Sequence, residues 1–255
     1  MVKGLEIFKQ YFKDYAGNYI VIGGTACDII IDEAGFVPRA TKDIDIILIV
    51  EALSADFVKQ FWQFIKDGNY EKKEKSEEER KYYRFLRPEN NEFPYQLELF
   101  ARNPGLLDLD EGTHLTPIPV DDDLSSLSAI LLDETYYRYL IENSTVEEGV
   151  HIAGTGTLIC LKAKACLDIA RRMAAGGKEN SKNLRKHKND VFRLGVMLTD
   201  EDVFELPPTI KKDMQKFADT IQNDLPDKAI FKTMGLGSIN TETVYKQLKN
   251  SFGLN

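Results

Sequence analysis

The chain has 255 residues, 43% hydrophobic, 29% charged and 10% aromatic, with a formal net charge of −8. That supports one large domain or two modest ones with an ordinary buried core, and it excludes collagen-like, low-complexity and disulfide-scaffold classes. Its acidity argues against a general nucleic-acid coat.

Residues 3–15 predict a helix, with Leu5, Phe8, Phe12 and Tyr15 at three- and four-residue steps, closed by Gly17-Asn18. Tyr19 to Ile22 is a β-rich run that stops at Gly23-Gly24. A helix is expected over 25–34, a strand over 44–50 and an amphipathic helix over 55–66. Residues 71–81 form a solvated charge block. Strands follow at 82–86 and 95–101, with further strands expected at 115–120 and 128–132. Residues 136–141 fit strand or helix, and 150–153 is one more short strand. After Gly154 the period becomes helical, over 158–175, 184–198, 208–223 and 241–251. The expected organisation is α+β: a mixed β-sheet N-terminal domain flanked by helices (1–153), then an α-helical C-terminal domain (154–255) closing over the first. No internal repeat is evident.

Three scattered cysteines, Cys27, Cys160 and Cys166, form no Cys-x-x-Cys pair. They read as reduced thiols of a cytoplasmic protein. The apolar runs are far shorter than the roughly 18 residues of a spanning helix, and residues 1–15 lack the apolar core of a secretory signal. No membrane partner is expected.

Chemistry concentrates in residues 19–50. Asp43 and Asp45 open a hydrophobic strand and, two apart, point to one face. Side-by-side carboxylates repel each other, and a divalent cation with oxygen ligands, such as Mg²⁺, relieves that cost. An exposed strand start with both acids solvated is the plainer alternative. Upstream, Gly23-Gly24-Thr25 ends a strand and opens a helix. Free N–H groups at a helix start suit a phosphate, glycine permits close approach, and Thr25 adds a hydroxyl. A simple strand–turn–helix capped by Thr25 fits the same residues. In Gln96-Leu-Glu-Leu-Phe100 the alternation sets Glu98 on a strand face as a candidate third acid. Together these describe a site for a nucleoside triphosphate and two metal ions.

Gly-Gly-Thr followed by Arg39-x-Thr-x-Asp-Ile-Asp45 resembles the polymerase-beta-type nucleotidyltransferase superfamily, and more narrowly the AbiE-type nucleotidyltransferase toxins of abortive infection. The resemblance covers residues 19–50. It implies that Gly24 and Thr25, with Gly23 and Arg39, contact the triphosphate. It also implies that Asp43 and Asp45 hold Mg²⁺ and that Glu98 completes the triad. AbiE-type toxins carry a Lys/Arg-and-Asp element in their helical domain, so Lys186 and Asp190 look like positions of that element. His187, between them, reads as a surface residue.

Two features of the helical half bear on the same reading. Residues 162–193 hold ten Lys or Arg against three acids, leaving the rest of the chain at −15. A basic segment in an acidic protein suggests a local phosphate site or a solvated helical surface. On a helical projection, Lys162 falls within the apolar stripe of Leu158, Ala165, Ile169 and Met173. Its ammonium either snorkels to solvent or reaches a triphosphate in a cleft between the domains.

The expected activity is therefore Mg²⁺-dependent transfer of a nucleoside monophosphate from an NTP to a hydroxyl of an RNA end, a protein or a small molecule. A tRNA acceptor and a cognate antitoxin partner are the finer expectations. The alternatives are a degenerate nucleotidyltransferase fold acting as a binding module and a metal-dependent nucleotide-sugar glycosyltransferase.

Overall fold

A computed structural model describes residues 2–71, 82–100, 130, 133–177 and 181–255. The strands expected at 115–120 and, apart from Ile130, at 128–132 lie outside these residues, as does nearly all of the 71–81 charge block. The fold is α+β, built on a six-stranded mixed sheet. Two compact units are present. One takes residues 1–29, the described part of 40–119, and 144–153. The other takes residues 30–39, the described part of 120–143, and 154–255.

The sheet unit contains strands β1 (Tyr19–Ile22), β2 (Asp43–Leu48), β3 (Tyr82–Leu86), β4 (Gln96–Phe100), β5 (Ser144–Glu147) and β6 (Val150–Ala153). Their order is β3-β4-β2-β1-β6-β5. β2 pairs antiparallel to β1 and parallel to β4, while β1 and β6 are parallel. Helices α1 (Leu5–Phe12) and α3 (Ala55–Gly68) belong to this unit, and α2 (Gly23–Glu33) begins in it.

Strand alternation sorts the two faces. Tyr19, Val21, Ile46, Leu48, Leu97, Leu99 and Phe85 share one face by register. Against it lie Phe8 and Phe12 of α1 and Phe57, Phe61 and Phe64 of α3. The Phe8 ring is 5.3 Å from Tyr19 and 5.9 Å from Phe64, and Phe61 is 5.7 Å from Phe85. All these rings except Phe85 are fully buried, so this aromatic layer is the core of the unit. α3 starts where Ser54 accepts the N–H of Phe57 at 3.1 Å and stops at Asn69, whose φ is +46°. The opposite face carries Asp43, Asp45, Gln96, Glu98 and Arg84.

β5 escapes the sequence reading because Ser-Thr-Val-Glu contains a single apolar residue and lies on the sheet edge, where Val146 is exposed. It joins β6 through Glu148-Gly149, both at positive φ, as a two-residue hairpin turn requires.

The helical unit holds α4 (Glu134–Glu142), α5 (Thr155–Ala174), α6 (Ser181–Gly195), α7 (Pro208–Ile221), α8 (Ala229–Lys232) and α9 (Thr241–Ser251). Residues 136–141, open between strand and helix, are helical because Asp133 caps them, accepting the N–H groups of Thr135 and Tyr136. α5 packs against α6 and α7, burying Leu158, Leu161, Ala165 and Ile169. Among the described residues no helix is long and apolar enough to cross a membrane.

Candidate active site

Register assembles the acids of the sheet unit. Asp45 on β2 stands directly opposite Glu98 on β4, and Asp43 opposite Gln96. On the far side of β4, Arg84 of β3 stands opposite Glu98. Arg84, Glu98 and Asp45 therefore form a row across three strands on one face. Asp43 and Asp45 are half-buried, whereas Glu98 is 5% exposed.

Glu98 is fully engaged. Arg84 Nε donates to its Oε1 at 2.7 Å, and Gln96 Nε2 donates to the same oxygen at 2.6 Å. Burial, then the Asp45 charge, push its carboxyl up to about 9, against the pull of Arg84, and a hydrogen bond joins it to Asp45. Burial and a neighbouring negative charge both favour the protonated form of the Glu98 carboxyl.

The sequence expectation had all three acids around metal ions. Among the described residues, however, no group of three His, Cys, Asp or Glu side chains is gathered closely enough to hold a metal. The donor chemistry still suits one divalent cation: Asp43 and Asp45 offer carboxylate oxygens on one face, and the strained Asp45–Glu98 pair is what a cation relieves.

The glycine turn meets the acids. Ile22 pairs with Asp45, so Gly23 emerges beside it. Gly23 has a φ of +70°, and a Cβ there would overlap the Asp45 carboxylate. Its glycine is thus required by Asp45 as well as by any anion at the helix start. Thr25 is wholly buried, and its hydroxyl donates to the backbone carbonyl of Asp43. The hydroxyl expected to reach a phosphate instead pins α2 to the start of β2. Gly24 is buried in the same turn.

Asp28, which the sequence reading passed over, adds a second pin. It is buried, and its carboxylate accepts the N–H of Thr41 at 2.6 Å. The chain between these pins includes Ala40 at a φ of +62°, a conformation a non-glycine residue adopts only when its surroundings impose it.

The remaining candidates cluster in the helical unit. Asp190 is buried, with Lys162 at 3.4 Å, Arg193 at 3.2 Å and Arg39 at 3.9 Å. Burial works to raise its carboxyl, and these cations outweigh it, holding Asp190 below the usual range. The Lys162 ammonium expected to reach a triphosphate is thus a buried partner of Asp190. Lys186 is exposed and no described ion pair joins it to Asp190, whose partners come from α5, from Arg39 and from α6 itself.

His187 corrects another expectation. Both its ring nitrogens are buried without a hydrogen-bond partner, and burial, then Lys162 and Lys186, lower its pKa to about 3. The residue is half-buried with both ring nitrogens enclosed, and its ring is neutral, so it is not the solvated surface residue expected. Arg84, Gln96 and Asp28 were missed as well. The signal for Arg84 was its central place in the β-rich run Tyr82–Leu86, but only the pairing with β4 gives it a partner.

No family model matches the chain, and no curated protein matches it. Among solved structures, the chain is similar to an antigenic nucleotidyltransferase-like protein from Paracoccidioides brasiliensis. Identity is 13%, with 89% of this chain and 94% of that one covered and a TM-score of 0.41. A likeness of that size assigns neither family nor activity, and the functional reading rests on the residues.

Proposed function

We propose that this chain is a nucleotidyltransferase moving a nucleoside monophosphate from an NTP to an acceptor hydroxyl. The observation that carries the reading is the register: Asp45 opposite Glu98, with Asp43 on the same face, beside the turn at Gly23. Asp43 and Asp45 would hold Mg²⁺. When bound, the ion supplies positive charge to phosphoryl oxygens as the transfer proceeds. The backbone N–H groups at the start of α2 offer donors for the triphosphate. In the transfer the acceptor oxygen bonds to the α-phosphorus, the bond to the bridging oxygen breaks, pyrophosphate leaves and the acceptor's proton is released.

The chain's own residues prepare this. The Thr25 and Asp28 pins hold the turn and the acid strand together, and the aromatic layer behind the sheet keeps β2 and β4 in register. The sequence reading gave Arg39, Lys162, Lys186 and Asp190 to the nucleotide; with Lys162 held by buried Asp190, the accessible cations of that set are Arg39 and Lys186, and these would meet a phosphate-rich ligand. An RNA end such as tRNA is the acceptor class this charge favours. The AbiE-type role, with a cognate antitoxin, is the finer reading and rests on the motif in residues 19–50.

The test is incubation with each of four labelled NTPs, Mg²⁺, and total cellular RNA and protein. Wild type is expected to label one acceptor class. Asp43→Asn is expected to lose that labelling while keeping its circular dichroism spectrum and melting temperature. Equal labelling by the variant removes the proposal. A second reading, a binding module without turnover, is favoured by the closure of Glu98 under Arg84 and Gln96. It predicts Mg²⁺-dependent NTP binding by calorimetry with no labelled product.

A further inference from the structure

Resting on the metal-dependent reading above, we infer that Arg84 is a resident cation of the acid site: its guanidinium takes, on Glu98, the place of a second divalent ion, so that the site holds one ion on Asp43 and Asp45. Four observations carry this. Arg84, Glu98 and Asp45 occupy one row on one sheet face. The Arg84 side chain is 11% exposed and lies 2.7 Å from Glu98 Oε1. Gln96 donates to that same oxygen, so an incoming ion would have to displace two donors. And the described acids do not converge into a three-ligand group.

The chemistry of the side chain makes the arrangement permanent. Guanidinium does not lose its proton in a protein, and its planar fork is suited to a carboxylate. A divalent ion on Glu98 would sit beside a fixed positive charge with little water to screen it, and that repulsion is strong near a protein interior. An ion on Asp43 and Asp45 keeps its distance from Arg84 by one or two strand spacings, roughly 5–10 Å. Arg84 is then a specificity-determining residue that sets how many ions the site accepts.

The experiment is a Mn²⁺ titration of the full chain at pH 7.5, with free Mn²⁺ read by electron paramagnetic resonance. Wild type is expected to bind one ion per chain, lost in Asp45→Asn. Arg84→Gln is expected to bind about tenfold more tightly and to take a second ion. Arg84→Lys keeps the charge and is expected to match wild type. Two ions per wild-type chain would overturn the inference whether or not any variant folds. So would an Asp45-dependent ion whose affinity is the same in wild type and Arg84→Gln, and that result leaves the nucleotidyltransferase reading standing. No Mn²⁺ on wild type or on folded Arg84→Gln sinks both.

Discussion

At the scale of single residues, Gly23 and Asp45 compete for one small volume, and only a glycine leaves room for the carboxylate. An L side chain at a φ of +70° costs about 1–2 kcal/mol in backbone strain alone, and the Cβ would also displace Asp45. Gly23→Ala is therefore expected to lose at least that much stability in urea unfolding and, with it, the nucleotidyl transfer proposed above. A variant that unfolds at the wild-type urea concentration would contradict the packing described. The motif Gly-Gly-Thr was legible in the sequence as a strand-to-helix turn, and Asp43 and Asp45 as neighbours on one face. What each residue touches was not. Thr25 serves the backbone of Asp43, and Gly23 serves Asp45, because a partner's position depends on pairings made across the fold.

At the scale of elements, periodicity revealed faces and missed partners. Alternation in Gln96–Phe100 placed Glu98 correctly, yet the identity of its neighbour required knowing that β3 runs antiparallel beside β4. β5 has no apolar alternation because an edge strand buries little, so its pairing with β6 carries the element. In α6 the same limitation hid His187. An unfolded histidine takes a proton below a pH of about 6.5, whereas burial and the nearby lysines hold the folded ring neutral down to about 3. Its contribution to stability is thus complete above pH 6.5 and is lost as the pH falls toward 3. The unfolding free energy of wild type, read from urea titrations, is expected to fall between pH 7 and pH 4, by up to about 1.4 kcal/mol per pH unit from this residue. His187→Gln should flatten that slope, and parallel slopes for the two proteins would show that the ring does not titrate as described.

At the scale of the whole chain, helical and mixed regions were separable by period, but residues 30–39 group with the helical unit although they precede most of the sheet. Nothing in local composition marks such an excursion. The basic stretch of residues 162–193 also changes meaning once folded. Lys164 pairs with Asp213 at 2.9 Å and Lys188 with Asp224 at 2.7 Å, both acids outside the stretch, while Lys162 and Arg193 share Asp190. Part of the apparent surplus is internal wiring of the helical unit, which a linear charge count cannot reveal.

The three thiols are buried reporters of opening at separate places in the chain. Cys27 belongs to the sheet unit and Cys160 and Cys166 to the helical one, and all three are buried without a disulfide. Burial also raises the Cys166 thiol to about 12 and Cys160 further still, so the reactive thiolate is scarce as well as hidden. An aromatic disulfide reagent in excess is therefore expected to react only as fast as the structure around each thiol opens, with rates independent of reagent concentration once reaction outpaces reclosing. Peptide mass mapping would time Cys27 separately from the other two, and immediate modification of any of them in the native protein would contradict the burial.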